Sequence, residues 1–234
     1  MESLNKLDIV YWSDYACPYC YIGEKRLESV LKEMKVDDMV NLKMKSFELN
    51  PYTNRKVVSK TDERFAKKYG MTLEEARNEI EEISKMGRDE GIDFRYADTL
   101  YTNMLDAHRL TKLAESKGKD INKIIHLLFD AYFTKNLVLS DKSVLIKIGI
   151  EVGLKKKEII KMIESEAFLE DVRKDENEAH KAGVFGVPYF VINDIYIISG
   201  CESKDEMKKM IICAIDNELI KSKKGMVCGP DGCH

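Results

Sequence analysis

Cys17-Pro18-Tyr19-Cys20 follows directly on the apolar run Leu7-Asp8-Ile9-Val10-Tyr11-Trp12 and decides how the chain is read. Two cysteines three apart, where a strand gives way to a helix, are placed for dithiol–disulfide chemistry. With Cys17 as N-cap and Pro18 as the first helical residue, both thiols leave the helix start one turn apart, within bridging reach. Unpaired backbone N–H groups and the positive dipole end favour a thiolate at Cys17, lowering the pKa from about 8.5 toward roughly 3.5–7 in such motifs. Pro18 has no N–H to orphan, and its fixed φ starts the helix. Half of a zinc site is the alternative. It needs a second Cys/His pair at matching spacing, and the nearest candidates stand far away in the C-terminal tail, so no metal is assigned.

Gly186-Val187-Pro188-Tyr189-Phe190-Val191-Ile192 supports this from the other end of the chain. It predicts a proline-led strand, turning at Asn193-Asp194 into the partner Ile195-Tyr196-Ile197-Ile198. Alone, Pro188 is an ordinary strand-leading proline. Beside a Cys-x-x-Cys, a cis Val187–Pro188 bond would turn the Val187 backbone outward as an edge for an extended peptide or thiol substrate.

Together these segments resemble the thioredoxin superfamily, and within it the DsbA-like FrnE group. The resemblance spans nearly the whole chain. It rests on Ser13-Asp14 with Cys17 to Gly23, on Phe47-Glu48-Leu49-Asn50-Pro51, and on Asn103 with Asp106-Ala107-His108-Arg109. It continues in Leu128-Phe129-Asp130-Ala131-Tyr132-Phe133, Gly183 to Ile192, Ile198-Ser199-Gly200 and the tail Cys228-Gly229-Pro230-Asp231-Gly232-Cys233. Two positions depart from that group: Cys201 stands where a small alanine is usual, and Tyr19 replaces the commoner tryptophan.

At 234 residues the chain is long enough for one large domain or a core with an inserted one. A net charge of −3 argues against a nucleic-acid partner. No apolar stretch approaches the roughly 20 residues needed to cross a bilayer, so no membrane partner is expected. Met1-Glu2-Ser3-Leu4-Asn5-Lys6 carries no export pattern. The expected location is therefore cytoplasmic, where structural disulfides are rare and six cysteines are reactive or reduced rather than stapling.

Periodicity predicts strands over Leu7–Trp12 and Val40–Phe47, separated by a helix from Pro18 to about Met34. An almost wholly helical stretch follows from Thr61 to Lys181, with a Thr72–Glu75 capping box and glycine stops at Gly118, Gly153 and Gly183. The closing hairpin leads into a last helix capped by Ser203 and Glu206. The expected architecture is α/β: a thioredoxin fold with a large inserted all-helical domain. Its parts are a thioredoxin-like domain of residues 1–60 plus 183–222, a helical insertion over 61–182, and a cysteine-containing tail over 223–234.

Other residues carry less. His108 sits in a predicted helix that the resemblance turns toward the thiols, giving it a weak claim to substrate binding beside Tyr19, Val187 and Pro188. Asp14, three residues before Cys17, would oppose a thiolate if close. Cys213 is expected to be an inert core thiol, and Cys201 a small filler beside the site or a third thiol. Cys228 and Cys233, joined by turn-forming residues, are candidate accessory thiols, with soft-metal binding behind.

The resemblance implies a cytoplasmic thiol–disulfide oxidoreductase. Cys17 would be the nucleophile and Cys20 the resolving thiol. No cofactor would be required, and glutathione or another thiol would serve as redox partner for thiol- or disulfide-containing polypeptides or small thiols. A glutathione-dependent isomerase or transferase on the same fold is the rival enzyme, although those relatives typically carry serine at the Cys17 position. A holdase-like polypeptide-binding module is the non-enzymatic alternative.

Overall fold

The computed structural model describes residues 6–54, 56 and 59–224. Its main sheet has four strands in the order β2-β1-β5-β6: β1 (Leu7–Ser13), β2 (Val40–Ser46), β5 (Tyr189–Ile192) and β6 (Tyr196–Ser199). β1 runs parallel to β2 and antiparallel to β5, and β5 pairs antiparallel with β6. This is a thioredoxin-like α/β fold, as expected.

Alternation along β1 shows why it is central. Ile9 and Tyr11 are buried in the large core, where Tyr11 stacks on Phe190. Val10 and Trp12 pack on the opposite face with Ala179 and Val184. Both faces are therefore covered, and the strand has no polar side to spare.

Helix α1 (Pro18–Met34) connects β1 to β2 and buries Ile22, Leu27 and Val30. It ends where Lys35 turns left-handed (φ 57°) and the Lys35 and Val36 N–H groups bond back to Lys32 and Leu31. The last helix, α9 (Lys204–Lys224), packs against α1 and β6. Its inward residues are Met207, Ile211 and Ala214, at helical spacing. That register turns Cys213 outward. The expectation of a core thiol is corrected: Cys213 is exposed.

Between β2 and β5 lie α2 (Thr61–Tyr69), α3 (Leu73–Asp89), α4 (Leu105–Ser116), α5 (Ile121–Phe133), α6 (Lys142–Glu151), α7 (Lys156–Ile163) and α8 (Leu169–Lys181). The Thr72 capping box is present, with the Glu75 N–H donating to Thr72 Oγ1 and the Thr72 N–H to Glu75 Oε2. Gly118, Gly153 and Gly183 all carry the positive φ that a helix stop uses. Asn103 Oδ1 takes the Leu105 N–H at the start of α4, and Phe168 is left-handed (φ 64°) before α8. A short ribbon of β3 (Ser59–Lys60) and β4 (Leu100–Tyr101) was not anticipated, since two residues carry no period.

The helices share the sheet's core rather than sitting apart from it. Tyr21 of α1 stacks on Phe129 of α5 (4.9 Å between centroids). Asp175 of α8 accepts the Ser46 N–H through Oδ2 and pairs with Lys112 of α4, while its carbonyl accepts the Trp12 indole N–H. One buried residue thus fastens β1, β2, α4 and α8. No helix among the described residues is long and apolar enough to cross a membrane.

Candidate active site

Cys17 caps α1 in extended conformation (φ −91°, ψ 113°), with Pro18 as the first helical residue. The turn leading to it is fixed by backbone bonds: Cys17 N–H to the Asp14 carbonyl at 3.0 Å, and Cys20 N–H to the Cys17 carbonyl at 3.2 Å. Asp14 is buried and uses both carboxylate oxygens, Oδ1 accepting the Ala16 N–H (3.0 Å) and Oδ2 the Leu49 N–H (2.7 Å). It therefore ties the loop after β2 to the turn that presents Cys17.

His108 lies 3.5 Å from Asp14 Oδ1 and packs against the Tyr15 ring. Its exposure is 0%, and neither ring nitrogen has a hydrogen-bond partner. Buried beneath Asp14 and Tyr15, the His108 ring does not line the cavity beside Cys17, so its burial lends no support to the substrate contact expected of it.

On the sheet side, Val187–Pro188 is a cis peptide. The Cys17 thiol donates to the Val187 carbonyl at 3.5 Å, and the Pro188 carbonyl accepts the Gly200 N–H at 2.8 Å. The loop after β6 therefore ends beside Pro188, as the antiparallel pairing requires. Gly23 sets how closely α1 approaches. A Cβ there would stand 3.2 Å from Pro188 Cγ and 3.6 Å from the Phe190 ring, tighter than ordinary packing at the first of these.

The two thiols differ sharply from solvent's point of view. Cys17 (3% exposed) lines a cavity of about 820 Å³, whereas Cys20 (1%) does not reach it. Burial first, then the hydrogen bond and charge of Cys17, push the Cys20 thiol well above the ordinary thiol range. Cys20 therefore holds its proton in the resting dithiol. Tyr19, 39% exposed, lines the same cavity together with Leu49, Arg64, Tyr101 and Val187.

Cys201 is half-buried and does not line the cavity. Arg26 Nη1 donates to its carbonyl (3.1 Å) and its sulfur (3.5 Å), while Arg26 Nε and Lys204 both engage Glu90. Burial outweighs the Arg26 charge and pushes the Cys201 thiol up to about 11. At neutral pH it is a protonated, packed sulfur. Cys228 and Cys233 lie outside the described residues.

One group among the described residues has metal-ligand proximity: Glu24 and Glu28 of α1 with His126 of α5. A cation is already there. Lys25 Nζ donates to His126 Nδ1 (2.9 Å) and Glu28 Oε2 (3.2 Å), and the other His126 nitrogen contacts Glu28.

Tyr19 and Val187 line the cavity with Cys17, as does a cationic wall of Arg64, Lys67 and Lys68 that no motif in the sequence marks. Only the clustering of those residues in one short helix could have hinted at it.

The comparisons with known proteins agree with this architecture. A structure of a probable DsbA oxidoreductase from Streptomyces coelicolor matches with a TM-score of 0.84 and 28% identity, covering 97% of this chain and 98% of that one. The cytosolic disulfide reductase DsbM from Pseudomonas aeruginosa, with GSH, matches in fold with a TM-score of 0.60 and 13% identity, covering 92% and 99%. The uncharacterized protein YwbO of Bacillus subtilis is 25% identical over 213 residues, 87% of this chain and 94% of its own length. The model of the DSBA-like thioredoxin domain matches residues 8–211, and the chain belongs to that family.

Proposed function

We propose that this chain is a cytoplasmic thiol–disulfide oxidoreductase of the FrnE type, working through Cys17 and Cys20. The observation that carries the reading is the placement of the Cys17 thiol at the N-cap of α1, on the cavity wall and 3.5 Å from the Val187 carbonyl. An incoming disulfide is attacked by Cys17 sulfur, forming the mixed disulfide and releasing one substrate thiolate. Cys20 then loses its proton and attacks Cys17 sulfur, releasing the second thiolate and leaving the Cys17–Cys20 disulfide. Two electrons pass to the substrate, and the reverse sequence oxidises a dithiol.

Val187 and Pro188 hold the substrate backbone beside Cys17, and Tyr19 forms part of the wall. Polypeptides and small thiols are both substrates in this reading, with glutathione or another small thiol restoring the dithiol. The GSH held by the Pseudomonas aeruginosa neighbour is in keeping with that partner. Free Cys201 and Cys213 suit a reducing compartment.

Insulin reduction with catalytic dithiothreitol tests the reading. The wild type is expected to accelerate it and the Cys17→Ser, Cys20→Ser double variant to match the buffer control. Turnover of glutathione conjugates without insulin reduction would favour the isomerase alternative. Suppression of aggregation by the cysteine-free variant, again without insulin reduction, would favour a holdase.

A further inference from the structure

The cavity beside Cys17 has a chemical bias that disulfide exchange by itself does not require. Its α2 wall carries Arg64, Lys67 and Lys68, against the single carboxylate of Glu79 from α3. None of the three cations forms an ion pair among the described residues. Arg64 is the most constrained. Its guanidinium lies 4.0 Å over the Tyr101 ring, beside the Tyr96 hydroxyl, and its Nε is buried with no hydrogen-bond partner. A buried donor on a permanently charged group is costly to leave without an acceptor. Stacking on the Tyr101 face and a side-chain hydrogen bond to Tyr96 hold the planar fork in place, and leave Nε without an acceptor among the described residues. The acceptor that completes such a fork best is a carboxylate.

Size narrows the ligand. The cavity volume of about 820 Å³ is that of a small-molecule or short-peptide site. With Cys17 only 3% exposed, the reacting sulfur must come in to the thiol on a slender group.

We propose that Arg64, with Lys67 and Lys68, forms a carboxylate-recognition wall that makes small anionic disulfides and thiols the preferred redox substrates of this site. The inference rests on the oxidoreductase reading and specifies its substrate class. Recognition changes no bond. The exchange remains the attack of Cys17 on one substrate sulfur, departure of the other as thiolate, and resolution by Cys20.

Single-turnover oxidation of the reduced protein by three disulfides tests it: glutathione disulfide (anionic), bis(2-hydroxyethyl) disulfide (neutral) and cystamine (cationic). Each rate, read by alkylation quench and mass spectrometry, is divided by the rate of that disulfide with free mercaptoethanol. The wild type is expected to prefer glutathione disulfide over cystamine by about tenfold or more at low salt, and less at high salt. Arg64→Gln is expected to shrink that ratio about fivefold or more, and Lys68→Gln by a smaller factor. Lys147→Gln, an exposed charge-matched control on α6, is expected to leave it unchanged. Equal normalised rates in the wild type, or a ratio that survives both Arg64→Gln and Lys68→Gln, overturns the proposal. Should Arg64→Gln not fold, the Lys68→Gln ratio and the salt dependence decide alone. A reduced wild type inert to all three disulfides defeats the oxidoreductase reading itself, which separates the two failures.

Discussion

Two carboxyl groups bracket the thiols, Asp14 just before α1 and Glu24 within it, and both are 2% exposed. Their surroundings differ. Asp14 is met by two backbone N–H groups and by the His108 ring. Glu24 has an Oε2 with no hydrogen-bond partner and lies near the equally unpartnered Tyr11 hydroxyl. Burial, with Glu28 adding to it, pushes Glu24 up to about 8. Equal burial thus gives two different surroundings: backbone donors meet both Asp14 oxygens, whereas Glu24 Oε2 meets none. Asp14 is a brace for the turn that presents Cys17. Glu24 is a carboxyl that burial holds in its protonated form up to about pH 8.

The largest effect should come from removing the brace. Asp14→Ala strips the acceptor from the Ala16 amide of the active-site turn and the Leu49 amide of the loop after β2, each costing about 1–3 kcal/mol when left unpaired. Thermal or urea unfolding should register a loss of roughly 2–5 kcal/mol, with slower exchange. A variant as stable as wild type would show that Asp14 braces nothing.

Glu24→Gln sharpens the other half of the comparison. The folded-state pKa of Glu24 lies above its ordinary value of 4.5, so the folded form binds the extra proton between about 4.5 and about 8. Its contribution is fully present below that window and is lost as pH rises through it. Wild-type stability should therefore fall from pH 5 to 8, by an amount on the order of a few kcal/mol, while Glu24→Gln runs flatter. Parallel stability profiles for the two proteins would remove Glu24 from the account.

The smallest effect concerns Gly23. Alanine is intrinsically better than glycine in a helix by about 1 kcal/mol, but here its Cβ meets Pro188 at 3.2 Å. The two contributions oppose each other, so Gly23→Ala should change stability by less than about 1 kcal/mol. Insulin reduction should nevertheless slow severalfold, because α1 carries Cys17 away from Val187. Unaltered turnover would mean that this approach distance is not critical.

What could be read in advance was local. The N-cap role of Cys17, the proline start of α1, the Thr72–Glu75 box and the hairpin after Pro188 are each set by neighbours within a few residues. The end of the sheet where Cys201 would lie followed from antiparallel pairing. The rest depends on contacts distant in sequence. The bracing role of Asp14 was not legible because its partner amide at Leu49 is 35 residues away. His108 was turned toward the thiols by the resemblance, which does not reveal that Asp14 and Tyr15, distant in sequence, cover its ring. Cys213 between Ile212 and Ala214 looked internal, yet α9 buries Met207, Ile211 and Ala214 and leaves Cys213 exposed. Arg64 had no signature, since its importance comes from Tyr96, Tyr101 and the cavity together.

The central claim is that Cys17 attacks and Cys20 resolves. Reduced Cys20→Ser protein, treated with bis(2-hydroxyethyl) disulfide and mapped by peptide mass spectrometry, tests it most directly. The predicted product is a persistent mercaptoethanol adduct on Cys17, formed fast and released only by added thiol. An adduct on Cys201 or Cys213 with Cys17 left free, or no adduct on Cys17, would contradict the account.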